Sequence, residues 1–327
     1  MILHPANMLF FSTLLLTIVL IMSTDSWLVT WMALEINVMV FLPIMLKKNN
    51  KYQSETALKY FITQVIASIL ILLALVQLKT LYSFSCYILI TALMLKLAAA
   101  PLHKWMPALI NGLNWESLFM LLVIQKAGPF IILSMNNPCN NFENFTKFFI
   151  ISSALIGAIM ALFQSSLQKM LAYSSIAHLS WMLSLILLNK LDWVTYFIIY
   201  SLITLTLMIS LSMTNMLYLS QMMTNSMNNI NKVWVMFGFL SLAGLPPFTG
   251  FFPKMMSMEL LTQSPHNLLL LPLLMSSLIS LFLYLRITLN SMFFKTSQPF
   301  SKPVNNKNTL MTFINLTGLF TGVLLFI

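Results

Sequence analysis

Long apolar runs, separated by short stretches rich in polar residues, Pro, Gly and Asn, follow one another along almost the whole chain. A helix needs about 20 mostly apolar residues to cross the hydrocarbon core of a bilayer. Runs of this kind cover residues 8–23, 26–46, 56–79, 84–104, 113–135, 146–165, 170–189, 193–219, 233–262, 267–293 and 308–327. They are too long for barrel strands, and a backbone in lipid must satisfy its own hydrogen bonds. The pattern therefore predicts an all-α polytopic membrane protein with about 11 transmembrane helices.

Two of these spans contain residues that interrupt helices. The fourth includes Lys96-Leu-Ala-Ala-Ala-Pro101 and the ninth includes Gly244-Leu-Pro-Pro-Phe-Thr-Gly250, followed by Lys254. Spans one to five and six to ten would form two five-helix units of opposite orientation, because five is odd, with the break in the fourth helix of each. Matched broken helices in inverted repeats are typical of transporters whose site lies near the midplane. Two coincidental proline kinks are the alternative.

We therefore expect a single transmembrane domain over residues 1–327. Within it, the first inverted repeat would cover residues 8–135 and the second residues 146–293, with a C-terminal helix at 308–327.

The distribution of charges along the chain predicts a defined membrane topology. Only 7% of the residues are charged, and the net charge of +10 comes from lysines dispersed between the spans rather than gathered in a nucleic-acid-binding stripe. Of the lysines between spans, ten would lie on the N-terminal side and three, Lys79, Lys147 and Lys190, on the other. The positive-inside rule then places the N-terminus in the cytoplasm or mitochondrial matrix and the C-terminus outside. Twenty-six Met and a single Arg, with no recognisable presequence, suit an organellar gene.

Apart from charges near the span ends, such as Glu116 and Glu259, which we expect to be solvated, five charged residues lie inside the spans: Glu35, Lys96, Lys126, Lys254 and Arg286. A charge at the bilayer centre costs on the order of 3 kcal/mol, so such residues generally face partners or water. Glu35 is the only acid deep in a span, and we expect it to contact a lysine. Burial disfavours the charged form of an ionisable group and an opposite charge restores it, so withdrawing the acid would release a proton from the lysine. The three lysines would be successive stations on a wetted path, and a static ion pair that only fixes packing is the alternative.

Three further residues are candidates for moving protons. His103 and His178 are possible relay groups, and His178 follows three hydroxyl side chains within residues 173–175. A hydrogen-bonded packing role is the alternative for both. Lys169 begins the same span as His178 and is either the point where a proton enters or a lysine that reaches back to the interface. Arg286 stays charged at any relevant pH and is better suited to anchoring the helix.

Several kinds of chemistry have no motif in the chain. There is no phosphate-binding Gly-rich loop, no dinucleotide fingerprint, no Cys or His cluster for haem or iron–sulfur centres, and no nucleophile elbow. Cys86 and Cys139 are expected to be buried small residues rather than disulfide partners or metal ligands. We expect a chain that moves ions without redox chemistry and without a cofactor or metal of its own.

Six segments spread over nearly the whole chain carry a specific combination of motifs. They are Trp31-Met-Ala-Leu-Glu35-Ile-Asn37, Leu58-Lys-Tyr-Phe61-Ile-Thr-Gln64, Lys96-Leu-Ala-Ala-Ala-Pro101-Leu-His103-Lys-Trp105-Met-Pro107, Gln125-Lys126, Leu167-Gln-Lys169-Met-Leu-Ala-Tyr-Ser-Ser175-Ile-Ala-His178 and Gly244-Leu-Pro-Pro-Phe-Thr-Gly250-Phe-Phe-Pro-Lys254. Together they resemble the antiporter-like membrane subunits of mitochondrial NADH:ubiquinone oxidoreductase (complex I), in the subunit 2 form of arthropods or other invertebrates. Lys104 is an added charge relative to that family and is expected at the surface.

The resemblance implies an eleven-helix subunit that lacks three N-terminal helices of its bacterial counterparts. It implies that Glu35 and Lys96 form the charged pair of a first half channel, that Lys126 is the central relay, and that Lys254 lies on the broken helix of a second half channel. The implied function is proton translocation across the mitochondrial inner membrane, with the N-terminus in the matrix and the C-terminus in the intermembrane space.

The resemblance also implies partners and alternatives. NADH oxidation and ubiquinone reduction would occur in other subunits, which would hold the NADH, FMN, iron–sulfur clusters and ubiquinone. The partners would be neighbouring membrane-arm subunits, including antiporter-like ones, and the lipid bilayer, with no nucleic acid and no soluble small-molecule substrate. The alternatives are a subunit of a stand-alone multisubunit cation/proton antiporter, and a non-pumping structural spacer of the membrane arm.

Overall fold

A computed structural model describes residues 5–46, 51–77, 82–135, 143–188, 191–214, 216–224 and 229–293. Within these ranges the chain is almost wholly helical, and the only β pairing is an isolated bridge between Ser166 and Tyr218. Eight described helical stretches are long and apolar enough to cross a membrane, and among them Ser83–Gly112 and Trp115–Met135 combine consecutive helical segments. Two shorter apolar helices occur at Asn7–Ser23 and Val233–Ala243. The all-α polytopic class is confirmed. The last predicted span, 308–327, lies outside the described residues, and the number of eleven stays a prediction.

The helices are numbered along the chain as follows. They are α1 Pro5–Ser23, α2 Trp27–Met45, α3 Lys51–Gln77, α4 Tyr82–Leu97, α5 Trp105–Leu109, α6 Trp115–Phe119, α7 Gln125–Met135, α8 Glu143–Leu162, α9 Leu167–Leu187, α10 Asp192–Thr214, α11 Leu219–Thr224, α12 Asn229–Ala243, α13 Phe251–Thr262 and α14 Leu270–Phe293. Short 3-10 segments lie at Leu102–Lys104, Ile110–Gly112 and Asn267–Leu269, and a π-helical segment lies at Met120–Ile124. The eighth predicted span was drawn too long, because its helix ends at Thr214.

The chain divides into two compact units, Met1–Phe149 and Ile150–Ile327. In the first unit, α3 packs on α2 and α4, α1 packs on α2, and α7 packs on α1 and α4. Gly112 lies so close to α3 that an added Cβ would stand 2.7 Å from the Tyr52 carbonyl oxygen. In the second unit, α12 packs on α10 and α14, while α9 contacts α10, α13 and α14. The boundaries predicted for the two inverted repeats stay predictions.

The distribution of apolar and polar side chains is that of a membrane protein. Large apolar side chains such as Leu16, Val76 and Leu271 are exposed on helix surfaces, whereas Asn37 and Gln64 are buried. Water would oppose this arrangement, because soluble domains bury apolar and expose polar side chains. Lipid is the solvent that suits these outer faces.

The two predicted helix breaks are confirmed. The helix α4 ends at Leu97 and is followed by Ala98 with φ of 58°. The helix α12 ends at Ala243 and is followed by Gly244 with φ of 78°. A left-handed residue directly after the last helical residue is a common way of ending a helix. The chain therefore leaves both helices at left-handed residues that lie inside otherwise apolar spans.

The backbones of α8 and α9 touch within the second unit. A Cβ added to Gly157 would stand 2.7 Å from the Ala177 backbone nitrogen and 3.0 Å from the Tyr173 carbonyl oxygen. Small residues at helix crossings permit this kind of close approach in membranes. The interhelical distance at this crossing is therefore set by the absence of a side chain at Gly157.

One expectation about the cysteines is wrong. Cys86 on α4 is fully buried, as expected, but it is disulfide-bonded rather than a thiol that only fills space. Cys139 lies outside the described residues.

Candidate functional site

Three lysines are almost completely buried within apolar helices. The exposed fractions are 5% for Lys96, 2% for Lys126 and 6% for Lys254. Lysine is almost never fully buried unless its charge is compensated, and burying a charged group is expensive. These are the three lysines that the sequence singled out, and their burial makes them the centre of the candidate site.

Lys96 lies in the last turn of α4, where the helix ends in a defined hydrogen-bonded motif. The Ala99 amide donates to the Met94 carbonyl at 2.9 Å and the Ala98 amide donates to the Leu95 carbonyl at 3.1 Å. With the left-handed Ala98, these two bonds form a Schellman motif. Trp105 Nε1 also donates to the Leu95 carbonyl, at 3.1 Å. The backbone directly before Lys96 is thus held from the far side of the break.

Glu35 and Lys96 influence each other without a hydrogen bond between them. Glu35 is half-buried on α2, and its charge acts electrostatically on Lys96. However, Glu35 Oε1 and Lys96 Nζ are both buried without a hydrogen-bond partner. The direct Glu–Lys hydrogen bond expected from the sequence is therefore not formed, and that expectation is corrected to an electrostatic interaction without a hydrogen bond. An unpaired buried polar atom costs about 1–3 kcal/mol, so each of the two side chains would be stabilised by a polar group that bonded to it.

Lys126 follows a weak point in its helix. It is the second residue of α7, immediately after the π-helical segment Met120–Ile124. Three residues later, Pro129 has no amide to donate to the carbonyl of Gln125. Irregular π turns are frequent at functional sites. The backbone around Lys126 therefore has fewer of its own hydrogen bonds than a regular helix, a feature that the sequence analysis missed although Pro129 signals part of it.

Lys254 is bound to the end of another helix. Its Nζ donates to the Ala243 carbonyl at 2.8 Å and to the Leu242 carbonyl at 3.4 Å. These carbonyls belong to the last turn of α12, where helical carbonyls lack backbone partners and the helix dipole is negative. A Cβ on Gly244 would stand 3.1 Å from this Nζ. Lys254 therefore has a backbone counter-charge instead of a carboxylate.

His178 lies in a cluster of buried tyrosines in the second unit. Its Nδ1 is 3.0 Å from the Tyr196 hydroxyl, and its ring is 5.2 Å from that of Tyr200. Tyr196, Tyr200 and Tyr284 are all buried. Ser175 on α9 lies beside the Tyr200 hydroxyl, although that hydroxyl has no well-aligned hydrogen bond. The hydroxyls near His178 on its own helix were predicted from the sequence, but the tyrosines were not, because they come from α10 and α14.

The remaining predicted residues occupy less constrained positions. His103 is buried just after the first break, with its ring in hydrogen-bond contact with the Pro101 backbone. Lys169 is half-buried in the first turn of α9. Both of its predicted roles stay predictions. Lys104 is exposed, as expected, and Arg286 is exposed on α14. The structure thus brings Glu35 and Lys96 together, and it places His178, Lys169 and Lys254 on elements of the second unit.

No metal centre is formed by the part of the chain described. Within those ranges no three His, Cys, Asp or Glu residues lie close enough to hold a metal ion. The buried lysine, histidine and tyrosine side chains are groups that can gain, lose and transfer protons.

These features define a class of protein, a polytopic helical membrane protein whose buried lysines lie at or beside irregular helix segments. Residues 24–280 match the family described as NADH:quinone oxidoreductase/Mrp antiporter, TM. This chain belongs to that family.

Two relatives that are more than 30% identical to this chain carry the same name. NADH-ubiquinone oxidoreductase chain 2 of Anopheles gambiae is 36% identical over 97% of this chain and 95% of its own length. The protein of the same name from Lumbricus terrestris is 35% identical over 88% of this chain and 87% of its own.

Solved structures share the fold. A chain of respiratory complex I from Thermus thermophilus with bound aureothin superposes with a TM-score of 0.80 at 23% identity, covering 97% of this chain and 76% of that one. A chain of the Mrp complex from a Dietzia species gives a TM-score of 0.77 at 14% identity, covering 89% of this chain and 61% of that one. At these identities the likeness concerns the fold alone.

Proposed function

We propose that this chain is a core membrane-arm subunit of respiratory complex I that translocates protons across the mitochondrial inner membrane. The observation that carries the proposal is the burial of Lys96, Lys126 and Lys254 in helices with irregular backbone beside them. Relatives named NADH-ubiquinone oxidoreductase chain 2 match almost the whole chain. NADH oxidation and ubiquinone reduction, with FMN and iron–sulfur clusters, would take place in other subunits of the complex.

In the first unit, Glu35, Lys96 and Lys126 would carry the proton. Since Glu35 acts on Lys96 through space, any change in the position or charge of Glu35 changes the free energy of the Lys96 ammonium group. A water molecule bonded to both would give partners to two buried atoms that otherwise lack them. His103, beyond the break, would pass protons to or from this pair. Lys126 would be the central station.

In the second unit, Lys254 would be the corresponding station. Its ammonium group is held by backbone carbonyls, so its charge is stabilised by a dipole that stays in place when protons move. His178 and its hydrogen-bonded tyrosine would pass protons within this unit, and Lys169, at the start of α9, would be the residue through which a proton enters.

The proposal includes a topology. We place the N-terminus in the matrix and the C-terminus in the intermembrane space, with eleven transmembrane helices, because the loop lysines then collect on the matrix side. The residues at 8–135 and 146–293 would be two inverted five-helix repeats, and 308–327 the last helix. Neighbouring membrane-arm subunits, antiporter-like ones among them, and lipid would cover the exposed apolar faces.

The test is the number of protons pumped per NADH oxidised in membranes that carry Lys126→Ala in the intact complex. Pumping or coupled turnover is expected to fall while the complex still assembles and its quinone-reducing machinery is intact. Lys59→Ala is the matched control, because Lys59 is an exposed lysine of the first unit paired only with Glu55 at the surface, where such pairs contribute little. Normal pumping by the assembled Lys126→Ala complex would leave Lys126 as a packing residue and favour the structural spacer.

A stand-alone cation/proton antiporter subunit is the second candidate. The matching family takes in Mrp antiporters as well as NADH:quinone oxidoreductase, while the sequence relatives favour complex I. Sodium-dependent proton transport in vesicles without NADH or quinone would support the antiporter, and pumping that strictly requires NADH oxidation would exclude it.

A further inference from the structure

Three uncharged side chains form a hydrogen-bonded chain across three helices of the first unit. The Tyr60 hydroxyl on α3 donates to Gln125 Oε1 at 2.9 Å, and Gln125 Nε2 at the start of α7 donates to Asn37 Oδ1 on α2 at 3.1 Å. The exposed fractions of Tyr60 and Asn37 are 1% and 2%. The Gln125 amide uses its oxygen in one bond and its nitrogen in the other. Its orientation is therefore determined by both neighbours.

Each member of this chain adjoins a charged residue of the candidate site. Asn37 follows Glu35 by two positions on α2, and Gln125 directly precedes Lys126. The charge of Glu35 also acts on Tyr60. The bonded chain therefore links the helix that carries Glu35 to the helix that carries Lys126.

The Tyr60 ring connects the same hydrogen-bonded chain to the surroundings of Lys96. It packs edge-on against Phe41, with ring centroids 5.2 Å apart, and lies 6.2 Å from the ring of Trp105. Trp105 in turn donates to the carbonyl of Leu95, the residue before Lys96. Through its hydroxyl, Tyr60 thus contacts Gln125, the residue before Lys126. Through its ring it lies beside Trp105, which binds the carbonyl of the residue before Lys96.

The backbone of α7 shows why an external support is needed. The π-helical segment ends at Ile124, and Pro129 removes the amide that would bond the Gln125 carbonyl. A helix that is weakly bonded on both sides of a residue can turn about its axis at that point. The side-chain bonds of Gln125 to α2 and α3 resist that rotation.

We infer that Tyr60, Gln125 and Asn37 are positioning residues that hold Lys126 in a fixed orientation relative to Glu35 and Lys96. The inference rests on the proposed function and adds to it. The three residues do not themselves carry the proton, because an amide neither gains nor loses a proton readily near neutral pH and Gln125 interrupts the chain. They act through the placement of the groups that do.

The test compares Tyr60→Phe with Tyr52→Phe in the intact complex. Tyr60→Phe keeps the ring contacts and removes only the hydroxyl, while Tyr52 is an exposed tyrosine on the same helix. The complex carrying Tyr60→Phe is expected to assemble normally and to lose about fivefold in coupled turnover. The loss of one buried hydrogen bond would lower the fraction of molecules in which Lys126 is correctly placed by about that factor. Its pH profile of protons pumped per NADH is expected to be displaced, whereas that of Tyr52→Phe matches the parent complex.

A second variant separates positioning from plain stability. Gln125→Leu removes both bonds and is expected to reproduce the displaced pH profile, and the Tyr60→Phe, Gln125→Leu double variant is expected to be no worse than Gln125→Leu alone, because residues that act as a unit are not additive. An unaltered pH profile and pumping ratio in assembled Tyr60→Phe would overturn the inference. If Lys126→Ala in the same membranes also pumped normally, the proposed function would fail with it; if Lys126→Ala lost pumping, the inference alone would fail.

Discussion

Lys254 Nζ donates to the carbonyl oxygen of Ala243 at 2.8 Å, so the charged group on α13 is bonded to the end of the helix that precedes it. The interruption between α12 and α13 provides this acceptor, because the last carbonyls of a helix have no backbone donors. A continuous helix would have used those carbonyls internally. The break is therefore part of what allows a lysine to be buried here.

Lys254→Met is expected to abolish the contribution of the second unit to pumping and to lower stability. The substitution leaves the Ala243 carbonyl buried without a donor, at about 1–3 kcal/mol. Pumping per NADH and the amount of assembled complex are the measurements, with Lys51→Met at an exposed lysine as the matched control. Assembled Lys254→Met complex with an unchanged pumping ratio would contradict the role assigned to this lysine.

Gly250→Ala is expected to prevent normal packing between α12 and the start of α13. An added Cβ would overlap the backbone carbonyl of Ser241, which has no freedom to move aside, so the loss should be more than about 2 kcal/mol. Gly238→Ala, on α12 in the same unit, meets only the side chain of Leu207 at 3.2 Å and is the control. Thermal stability of the assembled complex is the measurement. Equal effects of the two substitutions would show that the close approach at Gly250 does not limit packing.

Tyr196→Phe is expected to reduce coupled turnover several-fold with a stability loss of about 1 kcal/mol, because His178 Nδ1 would lose its hydroxyl partner. Tyr218→Phe changes the same group at an exposed position and should have no effect. Turnover coupled to pumping is compared with quinone reduction in uncoupled membranes. A loss that appears equally in uncoupled membranes would mean that the substitution disturbs assembly rather than proton transfer.

Much of the architecture could be predicted from the chain because lipid imposes a simple rule. Apolar length and helix breakers are local properties of the sequence, so the interruptions after Leu97 and Ala243 were found at the right places. The buried lysines were found for the same reason, since a charge in an apolar run is conspicuous. The end of the eighth span was placed too late because Met216 and Leu217 are apolar, although α10 ends at Thr214.

Side-chain partners could not be predicted, because they depend on how distant helices rotate against one another. Opposite charges in neighbouring spans predicted direct contact between Glu35 and Lys96, but Glu35 Oε1 and Lys96 Nζ lack hydrogen-bond partners, because a hydrogen bond also requires a matching geometry of the two helices. Lys254 is bound to the carbonyls of Leu242 and Ala243, and no sequence pattern indicated these partners. The link from Tyr60 to Gln125 joins residues 65 positions apart, and no local pattern indicates it.

The crossing of α8 and α9 at Gly157 has a consequence for how variants of this chain should be interpreted. Gly157 contains no ionisable group, yet it sits against Ala177, the neighbour of His178. A methyl group there must push the backbone of α9 outward, and His178 moves with it. Inherited or engineered substitutions at this crossing are therefore expected to impair the proton transfer that we propose for His178, although they change no charged residue.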